Sequence, residues 1–223
     1  MPRQRADWFP IILGSLFLFV ILVPYILAYN AGGEAYRFGG FLLNPLDGNS
    51  YLAKMYQGWQ GSWRFTLPFT VERGEGCYLF LFYLALGHLA RVSGGSSHFI
   101  IHLFRIASAV ALVFSLWLFF KRVFSQERIH RLAFGLALFG SGMGWLFSTQ
   151  GTLSMDFWVA EGYPLLSAYA NPHFPLGTAI MLLFLAPGML FRRMWMGVIF
   201  GIFLAILMPF GVVLCSVILA GLL

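Results

Sequence analysis

The sequence predicts an all-α integral membrane protein built as a multi-span helical bundle, and three observations carry that prediction. Hydrophobic residues make up 60% of the chain and charged residues only 10%, whereas a soluble domain carries about a quarter charged residues. Residues 8–33, 132–155, 162–191 and 194–223 are free of charge for 26, 24, 30 and 30 residues, and a helix needs roughly 20 apolar residues to cross the hydrocarbon core. Glycine, β-branched and aromatic residues are scattered without the alternation of a membrane β-barrel.

Six hydrophobic segments follow in order, within one transmembrane domain over 1–223: 9–29, 76–90, 99–120, 132–149, 173–191 and 196–223. The first lacks a small-residue cleavage site and is too long for a signal h-region, so it reads as an anchor. The last is broken at Pro209 into one kinked span or two short helices. Residues 212–223 are apolar to the final position, an ending expected of the N-terminal part of a larger protein.

Basic residues cluster in three places: Arg3 and Arg5; Lys121, Arg122, Arg128 and Arg131; and Arg192 and Arg193. The positive-inside rule puts all three, and the N-terminus, on the cytoplasmic side of the plasma membrane. The 30–75 loop, of zero net charge, and the 149–172 loop, with Asp156 and Glu161, then lie outside. Three full crossings between Arg5 and Lys121 would break the rule. The 15 residues of 76–90 span only about 22 Å as a helix, so this segment is expected to be partly inserted from the outer side.

The 30–75 loop holds half of the acids in the chain, Glu34, Asp47, Glu72 and Glu75, against Arg37, Lys54, Arg64 and Arg73. Within it, Asn44-Pro45 is a helix start. Tyr51, Leu52, Met55, Tyr56 and Trp59 recur at the spacing of one helix face, and Gly58 and Gly61 are natural stops. An amphipathic helix lying at headgroup level is expected here, after the first span. Asp47 falls in its first turn, where the helix dipole favours an acid. It is either a helix-start acid or a general base at the lipid–water boundary.

Arg105 lies in an otherwise apolar helix, as an ionisable group that marks a functional site or as a cation that snorkels to the interface. In the second outer loop, Glu161 precedes Asn171-Pro172, and His173 falls in the first turn of the next span. These residues either begin a helix or close a pocket with Asp47. Gly140, Gly142 and Gly144 are expected inside a span, where small residues permit close packing. His88 and His102 have no partner at metal-ligand spacing, Cys77 and Cys215 have no spacing indicating a disulfide, and the net charge of +6 is spread over helix ends rather than gathered for nucleic acid.

The segments LDGNSYLAKMYQG with Asp47, GEGCYLFLFYLALGHLARVSGGS and HLFRIASAVALVFSLWLFFKRVF resemble the N-terminal half of GT-C class membrane glycosyltransferases, of the protein-mannosyltransferase kind, over roughly residues 5–150. The resemblance implies transfer of a sugar from a polyprenyl-phosphate donor to an acceptor hydroxyl, the acceptor being left open. Asp47 is then the general base, with Glu161 as second acid. Arg105 is the expected cation for the departing phosphate, with Lys54 and Arg64 behind it and Tyr51 and His173 at the substrate. Many such enzymes carry two adjacent acids where this chain has Asp47-Gly48, so a divalent metal is not supported and no other cofactor is expected. The competing expectation is a membrane protein without catalysis: a transporter fragment, a lipid-carrier binder or a scaffold.

Overall fold

The computed structural model describes residues 7–72, 74–144, 146, 151, 154–186 and 194–221. Arg3, Arg5, Arg73, Arg192 and Arg193, which entered the charge reading, lie outside the described residues. Among the described residues the chain is helical: α1 (Phe9–Asn30), α2 (Pro45–Trp59), α3 (Leu81–Ser93), α4 (Ser97–Val123), α5 (Glu127–Phe139), α6 (Pro164–Ala170), α7 (His173–Leu185), α8 (Met194–Leu207) and α9 (Pro209–Gly221). The only β pairing among them is an isolated antiparallel bridge between Phe65 and Cys77.

Among the described residues two helices are long and apolar enough to cross a membrane, α1 with 22 residues and α4 with 27. At about 1.5 Å per residue they measure roughly 33 and 40 Å. Their outward faces are apolar, with Ile11, Ile12, Phe19 and Leu27 on α1 and Phe99, Val110 and Phe114 on α4 all exposed. Water would penalise these side chains; hydrocarbon would not.

α1 and α4 run antiparallel. Asp7, just before α1, pairs with Arg131 on α5 at 3.0 Å, so the start of α1 and the Lys121–Arg131 cluster meet at one end of the molecule. α3 lies toward the other end, against α2 and the first turns of α4 (Ile100 and Ile101). It covers residues 81–93 rather than 76–90, because Phe80 takes a left-handed conformation (φ +54°) ahead of it. Its 13 residues amount to about 20 Å, short of a crossing.

The described residues form three hydrophobic cores. One joins Phe17 and Ile21 of α1, Leu112 and Leu116 of α4, Phe134 and Leu138 of α5, and Ala168 of α6. The second joins Phe41, Met55 of α2, Tyr83 and Leu86 of α3, and the α4 start. The third joins Leu204 and Leu207 of α8, Met208, and Cys215 of α9. The apolar face of α2 therefore packs mainly on protein, although Tyr56 and Trp59 remain exposed and stacked together.

Gly58 does not stop α2. It lies where α2 crosses α3, and a Cβ there would overlap the backbone carbonyl of Leu84, as one at Gly87 would overlap that of Met55. The turn that ends α2 is Gly61, at φ +102°.

α5 is also shorter than the expected 132–149 segment, starting at Glu127 and ending at Phe139. Gly142 and Gly144 lie beyond it rather than in a helix–helix contact. Gly144 donates its N–H to the Asp156 carboxylate at 2.9 Å, and Ser154 donates its hydroxyl to the same carboxylate. The last apolar stretch breaks at Pro209, which starts α9 because a proline has no N–H for the preceding turn.

Candidate functional site

Asn44 adopts a left-handed conformation (φ +49°), and Pro45 then opens α2. The first turns of α2 carry Asp47, Tyr51 and Lys54 toward α3 and α7. The Tyr51 ring stacks on Tyr83 of α3, centroids 4.2 Å apart and planes 12° apart. The Tyr83 hydroxyl is 2.6 Å from Nδ1 of His173 at the head of α7, and the His173 ring stands 5.1 Å from Tyr51. Three elements remote in sequence thus meet through one hydrogen-bonded aromatic cluster.

Lys54 is only 8% exposed. Its ammonium donates to Ser50 Oγ at 2.8 Å and lies 4.4 and 4.2 Å from the ring centroids of Tyr51 and Phe80. Burial pushes the Lys54 amine down, and Asp47 partly opposes this. Burial pushes the Tyr51 phenol up to about 12, and the negative charges of Asp47 and Glu161 add to the shift. Asp47 and Glu161, from two loops 114 positions apart, therefore act on one phenol.

A Cβ on Gly48 would overlap the Phe41 ring, which belongs to the core beneath α2, so α2 packs closely on Phe41 at this position.

A cavity of about 350 Å³ opens beside this cluster, lined by Tyr51, Tyr83, His173 and the α8–α9 junction through Leu207, Met208 and Phe210. An apolar groove of about 530 Å³ adjoins it, with Trp63, Ala85, Leu176 and Phe203 on its walls. The two share Tyr78, Leu81, Phe82, Ile206 and Leu207. A largely apolar cavity with Tyr51, Tyr83 and His173 on its wall thus runs into an apolar trough between α3, α7 and α8.

No protein-family model, curated protein or solved structure matches this chain. The chemistry of the site rests on its own geometry.

The structure brings together Tyr51, Lys54 and His173, with Asp47 on the same helix as the first two; Glu161 is exposed and enters only through its charge on Tyr51. Arg64 stands at the rim, its guanidinium 5.6 Å from the Tyr78 ring. Arg105 is elsewhere. It is 2% exposed, with Cζ 4.0 Å over the Tyr25 ring and Nη1 donating to the Ala168 carbonyl at 3.1 Å. The electrostatic partners of Asp47 are Tyr51, Lys54 and Tyr83; those of Arg105 are Tyr25, Tyr29, His102 and Tyr169. The two sets share no member, so Lys54 takes the place at the site that Arg105 was expected to hold. Tyr83 and the α8–α9 junction escaped the sequence reading. Tyr83 is one aromatic among many in LFLFYLAL, and the Pro209 break signals a bend without saying what the bend faces.

Among the described residues no three His, Cys, Asp or Glu side chains gather at metal-binding distance. The donors that converge are phenols, an imidazole and an ammonium, which suit an anion or hydroxyls rather than a hard cation.

Proposed function

We propose that this chain is a multi-pass plasma-membrane protein, its N-terminus cytoplasmic, that binds a polyprenyl-phosphate sugar and transfers the sugar to an acceptor hydroxyl at the outer face, in the manner of GT-C glycosyltransferases. The observation that supports it best is the Tyr51–Tyr83–His173 cluster, with the buried Lys54 ammonium stacked on Tyr51 and Phe80, at a cavity that runs into an apolar trough. A ligand with an anionic head and a long hydrocarbon tail matches that arrangement.

In this reading the acceptor oxygen attacks the anomeric carbon, and its proton passes to the Asp47 carboxylate. The bond from the anomeric carbon to the phosphate oxygen breaks, and its electron pair leaves on the phosphate. Lys54 offsets that charge, as a fixed cation in a water-poor site does. Glu161 orients the acceptor, and Tyr51 and His173 hydrogen-bond the head group.

Asp47→Asn tests the assignment. General-base catalysis contributes about 10²–10⁴-fold, so transfer measured in nanodiscs with a polyprenyl-phosphate sugar falls by that order, while the melting temperature holds. Wild-type transfer by the variant overturns Asp47 as base. The topology is tested by cysteine labelling in intact cells, which reaches positions 47–60 and 156–170 from outside and spares 122–130.

A second reading, a lipid-carrier binder without catalysis, is favoured by the exposure of both acids. It predicts that Asp47→Asn leaves retention of the lipid unchanged and that wild type turns nothing over.

A further inference from the structure

Where α1 begins, α4 ends and α5 starts, a cavity of about 700 Å³ is walled by Asp7, Trp8, Lys121, Glu127, His130 and Arg131. It lies at the opposite end of α4 from α2 and α3. Arg131 Nη2 meets the Asp7 carboxylate at 3.0 Å and also pairs with Glu127. Two carboxylates thus share one guanidinium, and one negative charge is left over. Lys121 is exposed and forms no ion pair among the described residues. The cavity is neutral in sum, with one unbalanced charge of each sign.

Its wall also holds unmet polar atoms. His130 is 7% exposed, its ring edge-on to Trp117 with centroids 5.0 Å apart, and its Nδ1 has no hydrogen-bond partner. Nε of Arg131 lacks one too. Buried polar atoms left unpaired are costly, and a cavity beside them gives a ligand room to pair them. An apolar groove of about 310 Å³ runs between α1 and α4, lined by Ile11, Gly14, Val110, Phe114 and Trp117. Lys121 stands one turn beyond Trp117 on the same face of α4, so it joins the end of the groove to the wall of the cavity.

We propose that this cavity binds the head group of a zwitterionic phospholipid, a phosphoethanolamine, with an acyl chain in the α1–α4 groove. The phosphate lies on Lys121 and accepts a hydrogen bond from His130, in the tautomer with its proton on Nδ1. The primary ammonium, with three N–H donors, lies against Asp7 and Glu127 and supplies the positive charge that Arg131 alone does not. A zwitterion cancels both leftover charges. An anionic head group would leave the acids unbalanced, and a quaternary ammonium has no N–H to give them. The site is remote from Asp47 and independent of the chemistry proposed there.

The test is thermal unfolding of the full chain in detergent with three lipids of identical chains, carrying phosphoethanolamine, phosphocholine or phosphoglycerol heads. Ligand linkage predicts that the phosphoethanolamine lipid raises Tm by roughly 5–10 °C more than the others once it exceeds its dissociation constant about 100-fold. Lys121→Gln should remove that preference. Glu127→Gln should redirect it: Arg131 is then balanced by Asp7, Lys121 alone is unbalanced, and the phosphoglycerol lipid should stabilise most. Both side chains are exposed, so each variant should fold. Equal shifts from all three lipids in wild type, a wild-type preference for phosphoglycerol, or an unchanged preference in either variant overturns the proposal. Glycerophosphoethanolamine, which has the head and no chains, should shift Tm less; an equal shift overturns the lipid as occupant.

Discussion

Lys54 and Arg105 each place a cation inside the protein from one face of a helix, and each is stacked on a tyrosine. Lys54 has an acid about two turns earlier on its own helix and a cavity beside the ring it stacks on, and its amine gives one hydrogen bond, to Ser50. Arg105 sits at the junction of α1, α4 and α6, where it binds the Ala168 carbonyl while Tyr25 donates to the Tyr169 carbonyl at 2.9 Å. Burial of a positive charge is thus no guide to function by itself. What distinguishes the two is whether an open cavity and partner acids share the place.

The helix contacts around the two cations differ as well, and the largest expected effect tests that difference. α2 and α3 touch backbone to backbone at Gly58 and Gly87, whereas at the α1–α4 contact a Cβ on Gly14 would meet only a Val113 methyl, at 2.8 Å. Gly87→Ala must push the helices apart and should cost about 3 kcal/mol, with loss of the Tyr51–Tyr83 stack. Gly14→Ala should cost about 1 kcal/mol or less, since a side chain can turn aside. Equal losses in chemical unfolding would erase the contrast.

Next in size is Lys54→Met. Losing a charge-assisted contact should weaken polyprenyl-phosphate binding roughly 10- to 100-fold. Stability should hold or rise, because the variant no longer desolvates an ammonium. A fall in Tm with unaltered binding would make Lys54 a structural residue and remove the asymmetry with Arg105.

Tyr83→Phe and Tyr25→Phe each delete one part-buried hydrogen bond, to His173 and to the Tyr169 carbonyl, and each should cost about 1 kcal/mol. Only Tyr83→Phe should also weaken lipid binding. Equal binding in the two variants would separate the His173 pair from the site.

The smallest effect is spectroscopic. Tyr51 should ionise near pH 12 rather than near 10, read as the difference in tyrosinate absorbance between wild type and Tyr51→Phe. Between those values the folded chain keeps a proton that the unfolded chain has lost, so stability declines as pH rises from 10 to 12. Asp47→Asn removes one of the two acids and should bring the Tyr51 titration down, though burial, the larger cause, and Glu161 remain.

Several features were legible residue by residue. Asn44-Pro45 opens α2, Pro209 opens α9, and the charge-free run at 8–33 holds α1, because backbone geometry and hydrophobicity are local properties. Gly58 was misread because glycine carries the same local signature whether it ends a helix or admits another backbone. The 132–149 run was read as one span, yet α5 ends at Phe139, and Gly144 is held by a carboxylate twelve positions downstream. A hydropathy count cannot register such a partner.

The site divides along the same line. Composition alone determined that the chain is helical and apolar, since apolar surface and charge density follow from residue identity. That Asp47 and Glu161 both act on Tyr51, that Lys54 rather than Arg105 accompanies them, and that Tyr83 ties α3 to His173 of α7 was decided only by the tertiary structure. Tyr83 and His173 are 90 positions apart, and Glu161 lies on a different loop from Tyr51. Their geometry follows from which helix faces bury together, and that is a property of the packed chain rather than of any segment in it.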